Sequence, residues 1–161
     1  MDFNENIKRA SQLFQRAYEL QMRGDLDEAI NTYQMSIQLH PTAEAYTFLG
    51  WTYSFRVDYE NAIDECKKAI ELDKDFGNPY NDIGVYLIAL GHYEEAIYWL
   101  ESALQAKRYE SKQYPYYNLG KIMEKKGEWN EAIGYYTRAL ECKSDYQPAK
   151  DAITRLVSWM N

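Results

Sequence analysis

Apolar side chains recur at intervals of three and four along most of the chain, as in Ile30, Tyr33 and Ile37 or Ile97, Leu100 and Leu104. That spacing lines up one face of an α-helix and predicts an all-α protein. Small residues interrupt the pattern at regular places. The phrase "GDLDEAI" at residues 24–30 returns as "VDYENAI", "GHYEEAI" and "GEWNEAI", which puts Ala29, Ala62, Ala96 and Ala132 in one column with spacings of 33, 34 and 36. Upstream, Ala17, Gly50, Gly84 and Gly120 keep the same three spacings, and downstream so do Ser36, Ala69, Ala103 and Ala139. A period near 34 signals stacked repeats, each a pair of helices.

The columns have a packing meaning. Two helix backbones approach closely only where the side chains at the crossing are small. Gly24, Gly91 and Gly127 fall where the first helix of a pair must end, a position that takes left-handed backbone. Val57 holds that place in the second repeat, so this turn is expected to be strained or differently shaped. Asp25 with Glu28 has capping-box spacing and Asp58 is a similar cap candidate. Cys66 shares a column with Tyr33, Leu100 and Tyr136 and reads as a small buried hydrophobe.

The stretches "YNDIGVYLIALGHYEEAIYWLESAL" and "YNLGKIMEKKGEWNEAIGYYTRAL" closely resemble tetratricopeptide repeats. Tyr46, Tyr80 and Tyr116 stand in the aromatic column, Leu49, Ile83 and Leu119 precede the small residue, and Pro41 closes the first repeat. The first repeat departs most, with Leu13, Arg16 and Ala17 in place of the aromatic, leucine and glycine. The resemblance implies a right-handed α-solenoid of four hairpins, at about residues 10–42, 43–76, 77–110 and 113–146, in one domain. Residues 147–160 read as a capping helix with Ala149, Ala152, Ile153, Leu156 and Met160 on one face, because an end repeat has no neighbour to cover it.

Composition narrows the function. With 46% hydrophobic and 27% charged residues the chain has material for a core. A net charge of −7 opposes binding to nucleic acid or to anionic lipid surfaces. Residues 1–80 hold 8 basic and 14 acidic side chains, and 81–161 hold 10 and 11, so the second half repels an acidic ligand less. No run is long enough for membrane insertion, no secretory leader is visible at the start, and two cysteines fit a reducing compartment; a cytoplasmic protein is the expectation.

In the resembling family the first helix of each repeat lines the concave side, where binding usually happens. Here that face offers Phe14 and Tyr18, then Phe48, Trp51 and Phe55, then Asn81, Asp82 and Val85, and finally Tyr117, Asn118, Lys121 and Lys125. It runs from aromatic through amide and carboxylate to basic. Such a groove suits an extended peptide or short helix of a protein partner, with apolar anchors at repeats one and two and an acidic group near the lysines. Asn81 and Asn118 are candidates to hold a ligand backbone. Trp51 fits either the groove or packing between helices, and the lysines fit either a site or a solvated face.

The family's carboxylate clamp for chaperone tails is not matched. Its places hold Phe14, Tyr18, Phe48, Asn78 and Asp82 in repeats one to three, or Thr47, Trp51, Asp82, Tyr114 and Asn118 in repeats two to four, with no cation in either set. Of an inward asparagine ladder, only Asn118 is in place. His40 and His92 lie in loops, expected exposed and without ligand spacing to other groups, and no nucleophile or phosphate-binding motif is present. No cofactor and no enzyme activity are implied. The alternative to an adaptor is a self-associating scaffold, a weak homodimer through terminal helices in which Trp159 is the contact.

Overall fold

The computed structural model describes residues 3–161, and helices dominate them. They are α1 (Phe3–Arg23), α2 (Leu26–Leu39), α3 (Ala43–Phe55), α4 (Tyr59–Leu72), α5 (Asn78–Ala89), α6 (Tyr93–Gln105), α7 (Gln113–Lys125), α8 (Trp129–Cys142) and α9 (Gln147–Met160). Consecutive helices pack as hairpins α1/α2, α3/α4, α5/α6 and α7/α8, and α9 lies against α8.

The small columns sit at the crossings. Ala29, Ala62, Ala96 and Ala132 are fully buried, as are Ala17, Ala69, Ala103 and Ala139. At Gly50 a methyl group would lie 2.8 Å from the Ala62 carbonyl oxygen and 3.1 Å from Cys66 Sγ, so α3 and α4 touch almost backbone to backbone. Ser36 takes the place of an alanine in the first repeat and donates to the Ala10 carbonyl at 2.7 Å, which keeps its hydroxyl satisfied in the core. Cys66 is buried, and desolvation pushes its thiol up, consistent with a packing role.

All four hairpin turns close in the same way. The amides of Asp25, Asp58, His92 and Glu128 donate back to the carbonyls of Leu20, Tyr53, Leu87 and Met123 at 2.8–3.1 Å. Gly24, Gly91 and Gly127 carry φ of 86°, 80° and 78°, and Val57 follows them at 60°. The second turn is therefore strained and not reshaped. The Asp58 side chain accepts from the Asn61 amide at 3.3 Å, whereas Asp25 makes no such cap and pairs instead with Arg23 at 3.3 Å.

The odd-numbered helices touch one another along the stack, α1 with α3, α3 with α5 and α5 with α7. The even-numbered helices pack chiefly on odd-numbered neighbours, so the array curves with the odd row on its inner side. On α9, Ala149, Ala152 and Leu156 are buried and Ile153 is half-buried. Met160 does not join them: it stands 46% exposed at the last residue of the helix.

Val57 is exposed, so removing its side chain forfeits little burial, while left-handed backbone costs an L-residue roughly 1–2 kcal/mol. Val57→Gly is expected to raise the Tm by roughly 2–4 °C in thermal unfolding. A lowered Tm would show that the turn is not strained.

Candidate peptide-binding groove

The inner face opens with a connected aromatic cluster. Phe14 meets Phe48 at 5.2 Å and Tyr33 at 5.6 Å, Tyr18 meets Phe48 at 5.8 Å, and Trp51 lies 5.7 Å from Phe48 and 5.2 Å from Phe55. Most of these pairs are edge-to-face, a geometry worth about 0.5–1.5 kcal/mol each beyond burial. Phe14, Tyr18, Phe48 and Trp51 are half-buried and Phe55 is exposed. The cluster thus both joins α1 to α3 and leaves ring surface open. Trp51 serves packing and groove together.

Asn81 and Asn118 are buried, and Asn118 Nδ2 donates to Asn81 Oδ1 at 3.1 Å. Neighbouring α5 and α7 bring the two amides within reach of each other, and this one bond engages Asn118 Nδ2 and Asn81 Oδ1, half of what the pair can offer a ligand backbone. Val85 is half-buried against the core. Asp82 is half-buried on the groove floor, where loss of water pushes its carboxyl up to about 7 and the Asn81 side chain offsets only part of that.

Beside Asp82 lies a cleft of about 370 Å³ lined by Thr47, Phe48, Trp51, Asn78, Asn81, Tyr109, Ser111 and Tyr114. Tyr109 comes from the α6–α7 loop and fills the space above Gly77, where a methyl group would fall 2.3 Å from the Tyr109 Cβ. The loop is clipped in place. The Arg108 amide donates to the Asp75 carbonyl at 2.8 Å, and the Gly77 amide to the Arg108 carbonyl at 3.2 Å. The Arg108 guanidinium stacks 4.2 Å from the Phe76 ring centre and donates to Asp73 at 2.6 Å and to Glu44 at 2.9 Å. One arginine of the third repeat is therefore tied to both ends of the second, to Glu44 at the start of α3 and to Asp73 just after α4.

At the far end Lys121 lies 5.8 Å from the Tyr117 ring centre. Burial, with Lys125 adding, lowers its pKa. Tyr117, Lys121 and Lys125 share a hollow of about 500 Å³ with Glu124, Trp129, Tyr136, Arg155 and Trp159. Glu124 is bonded by Arg155 at 3.2 Å and by the Tyr136 hydroxyl at 2.8 Å, and Arg155 above all holds its carboxyl low. The basic end is thus a mixed one, with two lysines that have no ion-pair partner among the described residues beside the Glu124–Arg155 pair. Trp159 is 58% exposed and packs 6.3 Å from Trp129, with Arg155 5.1 Å from its ring centre.

The residues read from the sequence fall into three places: the aromatic cluster, the Asn81/Asp82/Asn118 floor, and the Tyr117/Lys121/Lys125 end. Tyr109 was missed, although the lengthened spacing of 36 between Ala96 and Ala132 marks the loop that carries it. Also missed were the polar pairs Tyr33 to Gln21 and Tyr136 to Glu124, both 2.8 Å, which occupy matching positions in repeats one and four. His40 is half-buried, edge-on to Phe3 at 6.1 Å, while His92 is exposed. Among the described residues no cluster of histidine, cysteine and carboxylates has metal-holding geometry, and no helix is long and apolar enough to cross a membrane.

Asp82 makes a pH prediction. A carboxyl with a folded pKa above its ordinary 3.8 binds a proton more tightly when folded, so its contribution to stability falls as pH rises from about 4 to about 7. The groups that feel its charge, Cys66 from α4, Tyr86 from α5 and Tyr109 from the loop, are neutral over that range. Asp82→Asn should therefore gain Tm over the wild type between pH 4.5 and pH 8, by at least about 3 °C. An unchanged difference at the two pH values would contradict the placement of the carboxyl.

Four tetratricopeptide repeat models match the chain, at residues 8–43, 43–76, 80–108 and 113–156. Among curated proteins, it is 30% identical over 95 residues to small glutamine-rich tetratricopeptide repeat-containing protein 2 of Mycosarcoma maydis, covering 58% of this chain and 27% of that protein. It is 28% identical over 119 residues to anaphase-promoting complex subunit 3 of Schizosaccharomyces pombe, covering 73% of this chain and 17% of that one. The chain thus spans about a quarter or less of the length of these relatives. Among solved structures, pilF of Pseudomonas aeruginosa superposes with a TM-score of 0.88 at 20% identity over 97% of this chain and 71% of its own, a likeness of fold. With a match in every hairpin and the same solenoid architecture, the chain belongs to the tetratricopeptide repeat family.

Proposed function

We propose that the protein is an adaptor or scaffold that binds an extended segment of a partner protein along the inner row α1, α3, α5 and α7. The observation that supports this reading most is the half-buried aromatic cluster of Phe14, Tyr18, Phe48 and Trp51, continuous with the 370 Å³ cleft at Asp82. Covering one such ring fully is worth roughly 1.5–3 kcal/mol, against about 0–1 kcal/mol for an exposed lysine pairing with an acid. Affinity then rests on the aromatics, and Lys121 and Lys125 set direction. The arrangement is already stiffened by ring-to-ring contacts, so little order is lost on binding.

The hydroxyl and thiol groups nearest Asp82 are not primed as nucleophiles, since burial pushes the Cys66 thiol and the Tyr109 hydroxyl up. A non-catalytic role acting in the cytoplasm completes the proposal. Phe48→Ala combined with Trp51→Ala should weaken partner capture from native cell extract at least about tenfold, with helicity by circular dichroism retained. Undiminished capture by the double variant would place the binding surface elsewhere.

A further inference from the structure

We infer that the cleft between α3, α5 and the 107–112 loop is a receptor for one basic side chain, arginine or lysine, of the partner segment. This rests on the groove reading above and adds the chemistry of the partner. Three features carry it. The first is size: at about 370 Å³ the cleft lies at the low end of the roughly 300–1,000 Å³ of ligand sites, which fits one side chain and not a folded element. The second is its walls. Phe48, Trp51, Tyr109 and Tyr114 present aromatic rings around it, surfaces that attract a cation and cover an aliphatic stem.

The third is Asp82 itself. Arg108, from the loop that walls the cleft, is committed to Asp73 and Glu44, and Asp82 has no ion-pair partner among the described residues. An apolar side chain entering the cleft would remove the remaining water from that carboxyl and leave it unpaired, and an acidic one would be repelled. Of apolar, acidic and basic side chains, a basic one both fills the space and pairs with the group. The upward displacement of its pKa agrees, since it reports a carboxylate short of compensation. Asn118 bonds Asn81, and Asn81 in turn offsets only part of the burial cost of the Asp82 carboxyl. The surplus of acidic over basic side chains in residues 1–80 favours the approach of a positive segment. The reading adds to the polarity expected from Lys121 and Lys125 alone: the partner is basic at the centre of the groove and acidic at the α7 end.

The test uses four capped pentapeptides, acetyl-Gly-Ala-Xaa-Ala-Gly-amide with Xaa as arginine, lysine, leucine or glutamate, titrated into the whole protein and followed by NMR. Arginine and lysine peptides should move the Trp51 indole signal and bind at least about tenfold tighter than the leucine and glutamate peptides. They should also lower the midpoint of the Asp82 carboxyl titration by about one unit. Asp82→Asn should abolish that preference while keeping the fold. If the leucine or glutamate peptide binds the groove as well as the arginine peptide, or Asp82→Asn keeps the preference, the inference falls and the groove reading stands. If none of the four perturbs Trp51 or Asp82, the inference is overturned, and the groove reading is then judged separately by partner capture with the Phe48→Ala/Trp51→Ala variant.

Discussion

The close approach of the two helices within each hairpin governs the rest of this molecule. It is set by the residues that carry least: Gly50 facing the Ala62 carbonyl, Gly84 facing Leu100, Gly120 facing Tyr136. With the axes held this near, each large apolar side chain on a hairpin finds its cover on the next hairpin, and the stack grows in one direction. The continuous core from Ala62 to Leu156 is the result, closed at its end by α9. Because the odd-numbered helices meet one another more closely than the even-numbered ones do, the same packing bends the row and opens the inner face. The groove is a consequence of the crossings and not a separate invention.

Local identity then gives each repeat its character. Repeats one and four place a tyrosine against the opposite helix and satisfy it with Gln21 or Glu124, whereas Cys66 and Leu100 fill the same place apolarly in repeats two and three. Along the inner face the aromatic cluster belongs to α1 and α3, the carboxyl of the central cleft to α5, and the lysines to α7. Arg108 matters to this arrangement because it fixes a loop from the third repeat boundary onto Glu44 and Asp73, and so fixes Tyr109 as a wall of the central cleft.

The elements of the fold were legible in the sequence because three columns of small residues and a glycine column repeat in register. Val57 shows the strength of that signal: the turn keeps the left-handed form with the wrong residue in it. The inner face was legible only as a list of positions. Helical spacing says which residues share a face, but not that Asn81 and Asn118 on different helices would find each other, since that depends on the separation of α5 and α7. It says nothing of Tyr109, which stands outside any helix. Nor could the caps be separated by composition, since Asp25 and Asp58 look alike and only Asp58 reaches an amide.

The claim on which all of this depends is that the glycine column is there for distance. The direct measurement compares two glycine-to-alanine variants by urea unfolding: Gly50→Ala, where the new methyl meets backbone at 2.8 Å, and Gly134→Ala, in α8 with nothing within 4 Å. Packing at the crossing predicts that Gly50→Ala loses about 1–3 kcal/mol while Gly134→Ala gains up to about 1 kcal/mol from helix propensity. If both substitutions stabilise the protein alike, helix contact distance is not what holds the array in its curved form.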